Sequence, residues 1–196
     1  EPFYMPVSWE RVKGIDYGYA SESCCLWGAV DRADGTLIIY RELYRKNLTG
    51  LDLGRIITEM EIEDPFSVQG VLDTAAWART GTTGPTVGET LQQLGHKLRR
   101  ADKNRIQGKI QIHEYLKVQN NGRPRLQIFN NCPNLIRELQ SIPLSKTKPE
   151  DVDTHASDHA YDALRYLIMS RPRVTDPLQR IRELKREILW LLRNVN

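Results

Sequence analysis

Cysteine is scarce in this chain: three residues among 196, two of them adjacent (Cys24, Cys25) and one distant (Cys132). They make neither a disulfide framework nor the paired spacing of a zinc site, so a reducing compartment is expected. Long apolar runs are missing as well. No stretch approaches the roughly 18 residues of a membrane span. The opening EPFYMPVSWERVK has no basic segment leading into an apolar one, so it reads as no secretory signal. It also lacks an initiator methionine, and the chain is expected to be a piece of a longer polypeptide. There is no phosphate-binding G-x-x-x-x-G-K-[ST] loop: GTTGPTVGET has the glycines without the lysine, and ATP hydrolysis is not expected. Internal repeats and low-complexity tracts are absent.

What is present is enough chain for one well-packed domain, or one domain with an appendage. The net charge of +3 is unremarkable, but its distribution is uneven. Between His96 and Arg125 nine Lys/Arg stand against Asp102 and Glu114 alone, leaving the remainder slightly acidic. A concentrated basic segment suits a polyanionic partner, because neutralising phosphates releases counterions; it also suits a solvated helix face followed by a polar loop.

Local patterning predicts three strands first: Val12–Tyr19, Cys24–Val30 and Thr36–Tyr44. Asp-Gly joins the second to the third, a hairpin signal. A helix follows, capped by Thr49, with Leu51, Ile56, Ile57 and Met60 at helical spacing. The run SVQGVLDTAAW, interrupted by Asp73, reads as a buried parallel strand ending there. Thr86 and Glu89 form a capping box opening a helix over Thr86–Lys103. IQGKIQIHEYL reads as a further strand, and Leu116–Phe129 as a β-hairpin around Asn-Gly. Pro133 opens a short helix, and Asp158–Arg171 is a helix with Ala160, Ala163, Leu164, Leu167 and Ile168 inward. The expected fold class is α/β: a mixed central sheet, an antiparallel three-strand meander plus parallel strands, flanked by helices.

Three acidic positions sit at element edges beside apolar neighbours. Asp16 lies in the first strand, Asp73 ends the fourth, and Asp158 opens a late helix with Asp162 one turn on. Acids spaced by four share a helical face and repel, and a lone desolvated carboxylate is costly. A divalent cation would convert that repulsion to attraction, and hard oxygen donors suit Mg²⁺ or Mn²⁺. Each residue also has an ordinary reading. Asp158 could cap its helix, Asp73 a short turn, Asp16 could end its strand in an Asx-turn, and Asp162 could pair with Arg165.

GIDYGYASES on a first strand, VLDTAA on a fourth and SDHAYDALRY opening a late helix together resemble the nuclease domain of tailed-phage terminase large subunits. Such domains share the RNase H-like fold of integrases, transposases and junction resolvases. The resemblance covers roughly residues 7–171. It implies two bound divalent ions, Mg²⁺ or Mn²⁺, with Asp16 bridging both, Asp73 on one, Asp158 on the other, and Asp162 a ligand or beside one. Glu22 matches a further acidic position in some relatives, and His155 and His159 could orient water or touch a phosphate.

The implied reaction is endonucleolytic hydrolysis of concatemeric viral DNA during packaging. Another RNase H-like nuclease, of resolvase or transposase type, and a silent nucleic-acid-binding module are the alternatives. Residues expected to hold double-stranded DNA are Arg99, Arg100, Lys103, Arg105, Lys109, Lys117, Arg123 and Arg125. A whole subunit of this kind would carry an upstream ATPase domain, meet a small terminase subunit and a portal, and work in the host cytoplasm away from membranes. Residues 1–173 are expected to form the nuclease domain. Residues 174–196 are expected to form a C-terminal amphipathic helix with Ile181, Leu184, Ile188, Leu191 and Val195 on one side, packed on its own domain or docked to a packaging component.

Overall fold

A computed structural model describes residues 1–31, 33–79, 84–143 and 158–171. The expected C-terminal amphipathic helix and His155 lie outside the described residues. Six strands form one sheet: β1 (Glu10–Asp16), β2 (Ser23–Val30), β3 (Leu37–Arg45), β4 (Gln69–Leu72), β5 (Lys97–Arg100) and β6 (Leu126–Ile128). Their spatial order is β5-β4-β1-β2-β3-β6. The meander β1-β2-β3 is antiparallel, while β4 joins β1, β5 joins β4 and β6 joins β3 in parallel. This is the mixed sheet that the sequence pattern implies. β2 is buried along its whole length, as a central strand covered on both faces must be.

Among the described residues five α-helices sandwich the sheet: α1 (Gly50–Met60), α2 (Val87–Gln93), α3 (Arg105–Leu116), α4 (Pro133–Ser141) and α5 (His159–Met169). Strand alternation sorts two cores. Val12, Cys24, Leu26 and Ile39 face Ile112 of α3, Leu135 of α4 and Leu164 of α5. Ile15, Cys25, Trp27 and Ile38 face Leu53 and Ile57 of α1 and Leu91 of α2. On that second face Lys13 is buried. Its Nζ lies 2.6 Å from Glu61 Oε1, and the same carboxylate oxygen accepts from Trp27 Nε1 at 2.7 Å. All three cysteines are buried and unlinked.

Three local expectations are corrected. The helix expected over Thr86–Lys103 stops at Gln93, with Gly95 at φ +91°, and the chain re-enters the sheet as β5. Gly tolerates that left-handed conformation, which ends a helix. The segment expected as a strand is helix α3: Gly108, Ile112 and Tyr115 are its buried residues, at helical spacing. The expected hairpin reduces to a single antiparallel bridge, Val118 to Pro124, about a turn with Gly122 at φ +77°. Its second arm is β6, recruited by β3.

Two glutamates fix the helix that matters most for the site. Glu42 of β3 caps α4, accepting from the backbone N–H of Asn134 at 3.1 Å and of Leu135 at 2.7 Å. Glu138 of α4, only 1% exposed, in turn caps α5, accepting from Ala160 N at 2.8 Å and Tyr161 N at 2.9 Å, with Tyr44 Oη at 2.8 Å. A carboxylate on the exposed N–H groups of a helix start satisfies orphan donors and suits the helix dipole. Glu138→Ala orphans two buried N–H groups and should cost about 1–3 kcal/mol, seen as a lower Tm in thermal unfolding. An unchanged Tm would show that the cap does not position α5.

Candidate metal centre

β1 ends at Asp16, β4 ends one residue before Asp73, and Ile15 pairs with Leu72 in register. The Asp73 N–H donates to Ile15 O at 3.0 Å, so the two acids stand side by side at the sheet's C-terminal edge. α5 begins at the same edge. Its close approach is allowed by Gly14: a Cβ there would lie 2.3 Å from the Ala163 carbonyl oxygen.

The ordinary readings of the acids resolve differently from one another. Asp158 occupies the N-cap position of α5 but makes no side-chain cap bond. Glu138 performs that task, and the Asp158 carboxylate turns to Arg105 Nη2 at 3.3 Å. Asp73 likewise precedes a 3-10 turn without capping it by its side chain; its Oδ1 accepts from Tyr166 Oη at 3.2 Å. Asp162 does pair with Arg165, at 3.1 Å to Nε and 3.0 Å to Nη2, and with Arg105 Nη1 at 3.0 Å. Asp16 Oδ2 lies 3.0 Å from His159 Nδ1, and the other ring nitrogen lies 3.4 Å from Glu22 Oε2.

His159, Asp162 and Tyr166 thus project from successive turns of α5 toward the acids. His159 and Tyr166 are the contributors that reading by residue type ranked low or missed. Their spacing along the helix from Asp162, three residues back and four on, is the signal that marks them.

Electrostatics follow from this crowding. Burial pushes the Asp16 carboxyl above its usual range, opposed by the His159 hydrogen bond and reinforced by Asp162 and Asp73. Burial, with Asp162 next, pushes Asp158 up to about 6. The hydrogen bond to Asp16 raises His159. A carboxylate at the end of a buried strand is therefore tolerated here because the His159 ring partners it.

As the side chains stand, no group of three His, Cys, Asp or Glu could hold a metal ion among the described residues. Guanidinium groups hold oxygens of Asp158 and Asp162, an imidazole one of Asp16 and a phenol one of Asp73. The donor chemistry nevertheless fits a hard divalent cation: several carboxylates from separate elements, with an imidazole beside them.

The basic residues divide by place. Arg100, Lys103 and Arg105 lie at the acids' edge, Arg100 with its guanidinium over the Trp77 ring at 5.3 Å. Arg99 donates to Ser170 O at 2.8 Å, toward the far end of α5. Lys109 is half-buried on α3. Lys117 pairs with Glu114. Arg125 adjoins Leu37, and with Lys117 and Arg123 it lies at the opposite edge of the sheet, about 20 Å away along β1.

A meander flanked by parallel strands, with helices on both faces and acids at the β1/β4 edge, defines an RNase H-like fold. Compared by sequence, the chain matches no protein-family model and no curated relative. Compared by structure, it is similar to the nuclease domain of the P22 large terminase, with TM-score 0.70 and 14% identity over 87% of this chain and 86% of that one. It is also similar to the large terminase of a thermophilic bacteriophage, with TM-score 0.67 and 17% identity over 85% of this chain. That match spans 41% of the longer chain, a protein also solved with ADP. The nuclease domain of the bacteriophage SPP1 large terminase, solved with bound Mn, matches with TM-score 0.58 and 16% identity over 81% of this chain and 84% of that one. The chain has the fold of phage terminase large-subunit nuclease domains.

Asp158 gives a titration test. Its folded pKa of about 6 lies above the ordinary 3.8, so the folded state holds a proton that the unfolded state releases. The stability this proton contributes is complete below 3.8 and is lost as pH rises through about 6. Carboxyl NMR of the metal-free protein should show a midpoint near 6 for Asp158, and Asp158→Asn should flatten the decline in stability over that window. A midpoint at or below 3.8 would contradict this crowding.

Proposed function

We propose that this chain is a metal-dependent DNA endonuclease domain that cuts concatemeric viral DNA during genome packaging. The observation that carries the reading is the meeting of Asp16, Asp73, Asp158 and Asp162, from two strands and one helix, at one edge of this particular fold. Similarity to terminase nuclease domains, one of them solved with Mn, supports it.

Under this reading Asp16 is the central ligand, flanked by Asp73 on one side and by Asp158 and Asp162 on the other, with Glu22 at the rim. Two divalent ions, Mg²⁺ or Mn²⁺, held by these carboxylates would supply Lewis acidity toward a phosphodiester and lower the pKa of an attacking water. The chain's own contribution is positional. Tyr166 donates to one oxygen of Asp73. His159 fixes the rotamer of Asp16. Glu138 anchors the start of α5, so that neither Asp158 nor Asp162 is spent on capping. Such supporting groups set ligand orientation and affinity in metal sites generally.

Backbone contacts suffice to position DNA for cutting that does not depend on sequence. Arg105 contacts Asp158 and Asp162 directly, and Arg100 and Lys103 precede it in the chain between the end of β5 and the start of α3. Lys117, Arg123 and Arg125 would meet a duplex only where it runs along the molecule to the opposite edge, and Arg99 and Lys109 lie between. The whole protein would join this domain to an ATPase motor, a small terminase subunit and a portal in the host cell. The match to the thermophilic phage protein, which covers less than half of a longer terminase, is what supports that context. No helix among the described residues is long and apolar enough to cross a membrane.

Plasmid digestion with Mn²⁺ tests the proposal. Wild type should nick and linearise plasmid, and Asp16→Asn should lose at least about a hundredfold in rate, beyond what loss of a supporting group costs, while still retarding DNA in a gel. Equal cleavage by both proteins would end the assignment. Preference for four-way junctions over linear duplex would point to a resolvase.

A further inference from the structure

Two guanidinium groups of different character meet the acid pair of α5. Arg165 belongs to α5, is 2% exposed, grips Asp162 at both oxygens and lies 4.4 Å over the Tyr166 ring. Arg105 comes from α3 and its side chain is 25% exposed. It spans the pair, with Nη1 3.0 Å from Asp162 Oδ2 and Nη2 3.3 Å from Asp158 Oδ2. The first is built into the core. The second reaches in from the mouth of the site.

The root of Arg105 is fixed independently of that reach. Asn104 caps α3, its Oδ1 accepting from Gln107 N at 3.0 Å. Gly108, one turn on, lets α3 lie directly against α5: a Cβ at this position would come within 2.4 Å of Arg165 Cγ. α3 therefore has a close contact with α5 at Gly108 that does not involve the Arg105 ion pairs.

Resting on the metal-dependent reading above, we infer that Arg105 is a tethered cation that occupies Asp158 and Asp162 in the metal-free protein, leaves them when a divalent ion binds, and then contacts a DNA backbone phosphate. The oxygens it engages are those a metal ion would take. Asp162 Oδ2 already accepts from both Arg105 Nη1 and Arg165 Nη2, so a divalent ion added at contact distance would repel both guanidinium groups, of which Arg105 is the more exposed. The displaced guanidinium stays at the edge where Arg100 and Lys103 also stand. Its planar fork matches two phosphate oxygens as well as it matches carboxylates. Metal loading thereby exposes a phosphate contact that the metal-free protein keeps folded inward.

Two measurements on wild type, Arg105→Gln and Arg105→Lys test this, with thermal unfolding in EDTA to check that each variant is folded. Mn²⁺ affinity, read by EPR of the free ion without DNA, should tighten by about fivefold in Arg105→Gln as the competing ion pair disappears. Arg105→Lys, a single charge without the fork, should fall between. The second measurement is the slope of log DNA affinity against log salt. In EDTA, wild type and Arg105→Gln should share one slope. With non-cleaving Ca²⁺, wild type should be steeper than Arg105→Gln by about one unit, the equivalent of one phosphate contact. Unchanged Mn²⁺ affinity, or a slope difference equal in EDTA and Ca²⁺, would overturn the inference and make Arg105 a fixed bridge or a permanent DNA contact. Wild type that binds no Mn²⁺ at all would sink the metal-dependent reading and this inference with it.

Discussion

The structure depends on one close approach: the backbone of β1 against the backbone of α5 at Gly14. With 2.3 Å between a hypothetical Cβ and the Ala163 carbonyl oxygen, any side chain at this position would push the helix outward. The three acidic elements converge because of that gap-free contact. β1 and β4 are locked by their parallel ladder, which sets Asp16 beside Asp73. α5 has no such ladder. Its position along and above the sheet is set by the missing side chain at Gly14, by the apolar residues around Leu164 and Leu167, and by the Glu138 cap at its start.

How far the sequence discloses this depends on whether the determinant is local. The meander, α1 with its Thr49 cap and α4 with Pro133 in its first turn follow from short-range chemistry, and each is where the pattern places it. The acids are legible for a related reason: an ionisable residue among apolar neighbours costs free energy and so invites an explanation. α3 is the counterexample. Ile106, Ile110 and Ile112 fall on even positions and imitate a strand, yet Ile106 and Ile110 are exposed while Gly108, Ile112 and Tyr115 are buried. Gly108, inside the segment read as a strand, is the packing contact. β5 is illegible for the opposite reason, since Leu98 is its one buried residue and four positions give periodicity nothing to act on. Glu42 and Glu138 look like solvated strand and helix carboxylates; only the tertiary fold shows each closing the start of another helix.

Those two caps also explain how α5 can devote its first turn to the site. A helix normally satisfies its first N–H groups with its own N-cap side chain, and Asp158 is the residue type for that role. Because Glu138 reaches in from α4, the Asp158 carboxylate stays outside the cap and inside the acid cluster. The cost is a further buried carboxylate, offset by donors that include the Tyr44 hydroxyl and two backbone N–H groups. Structure and site are linked through that substitution, since loss of the cap would give Asp158 a competing task.

Charge balance ties the site to the proposed substrate. Asp16, Asp73, Asp158 and Asp162 each carry a negative charge when ionised, against Arg105, Arg165 and, when protonated, His159. The cluster thus stays negative even with all of these cations charged, and burial pushes both Asp16 and Asp158 toward the protonated form. One divalent ion would reverse that sign. Two, with both arginines still in place, would leave the site strongly positive, an unfavourable state unless a guanidinium departs or an anion arrives. A phosphodiester is such an anion. Under the proposed function, a fully loaded site would therefore be incomplete without DNA, and ion binding, movement of Arg105 and binding of a phosphodiester would be coupled through one local field.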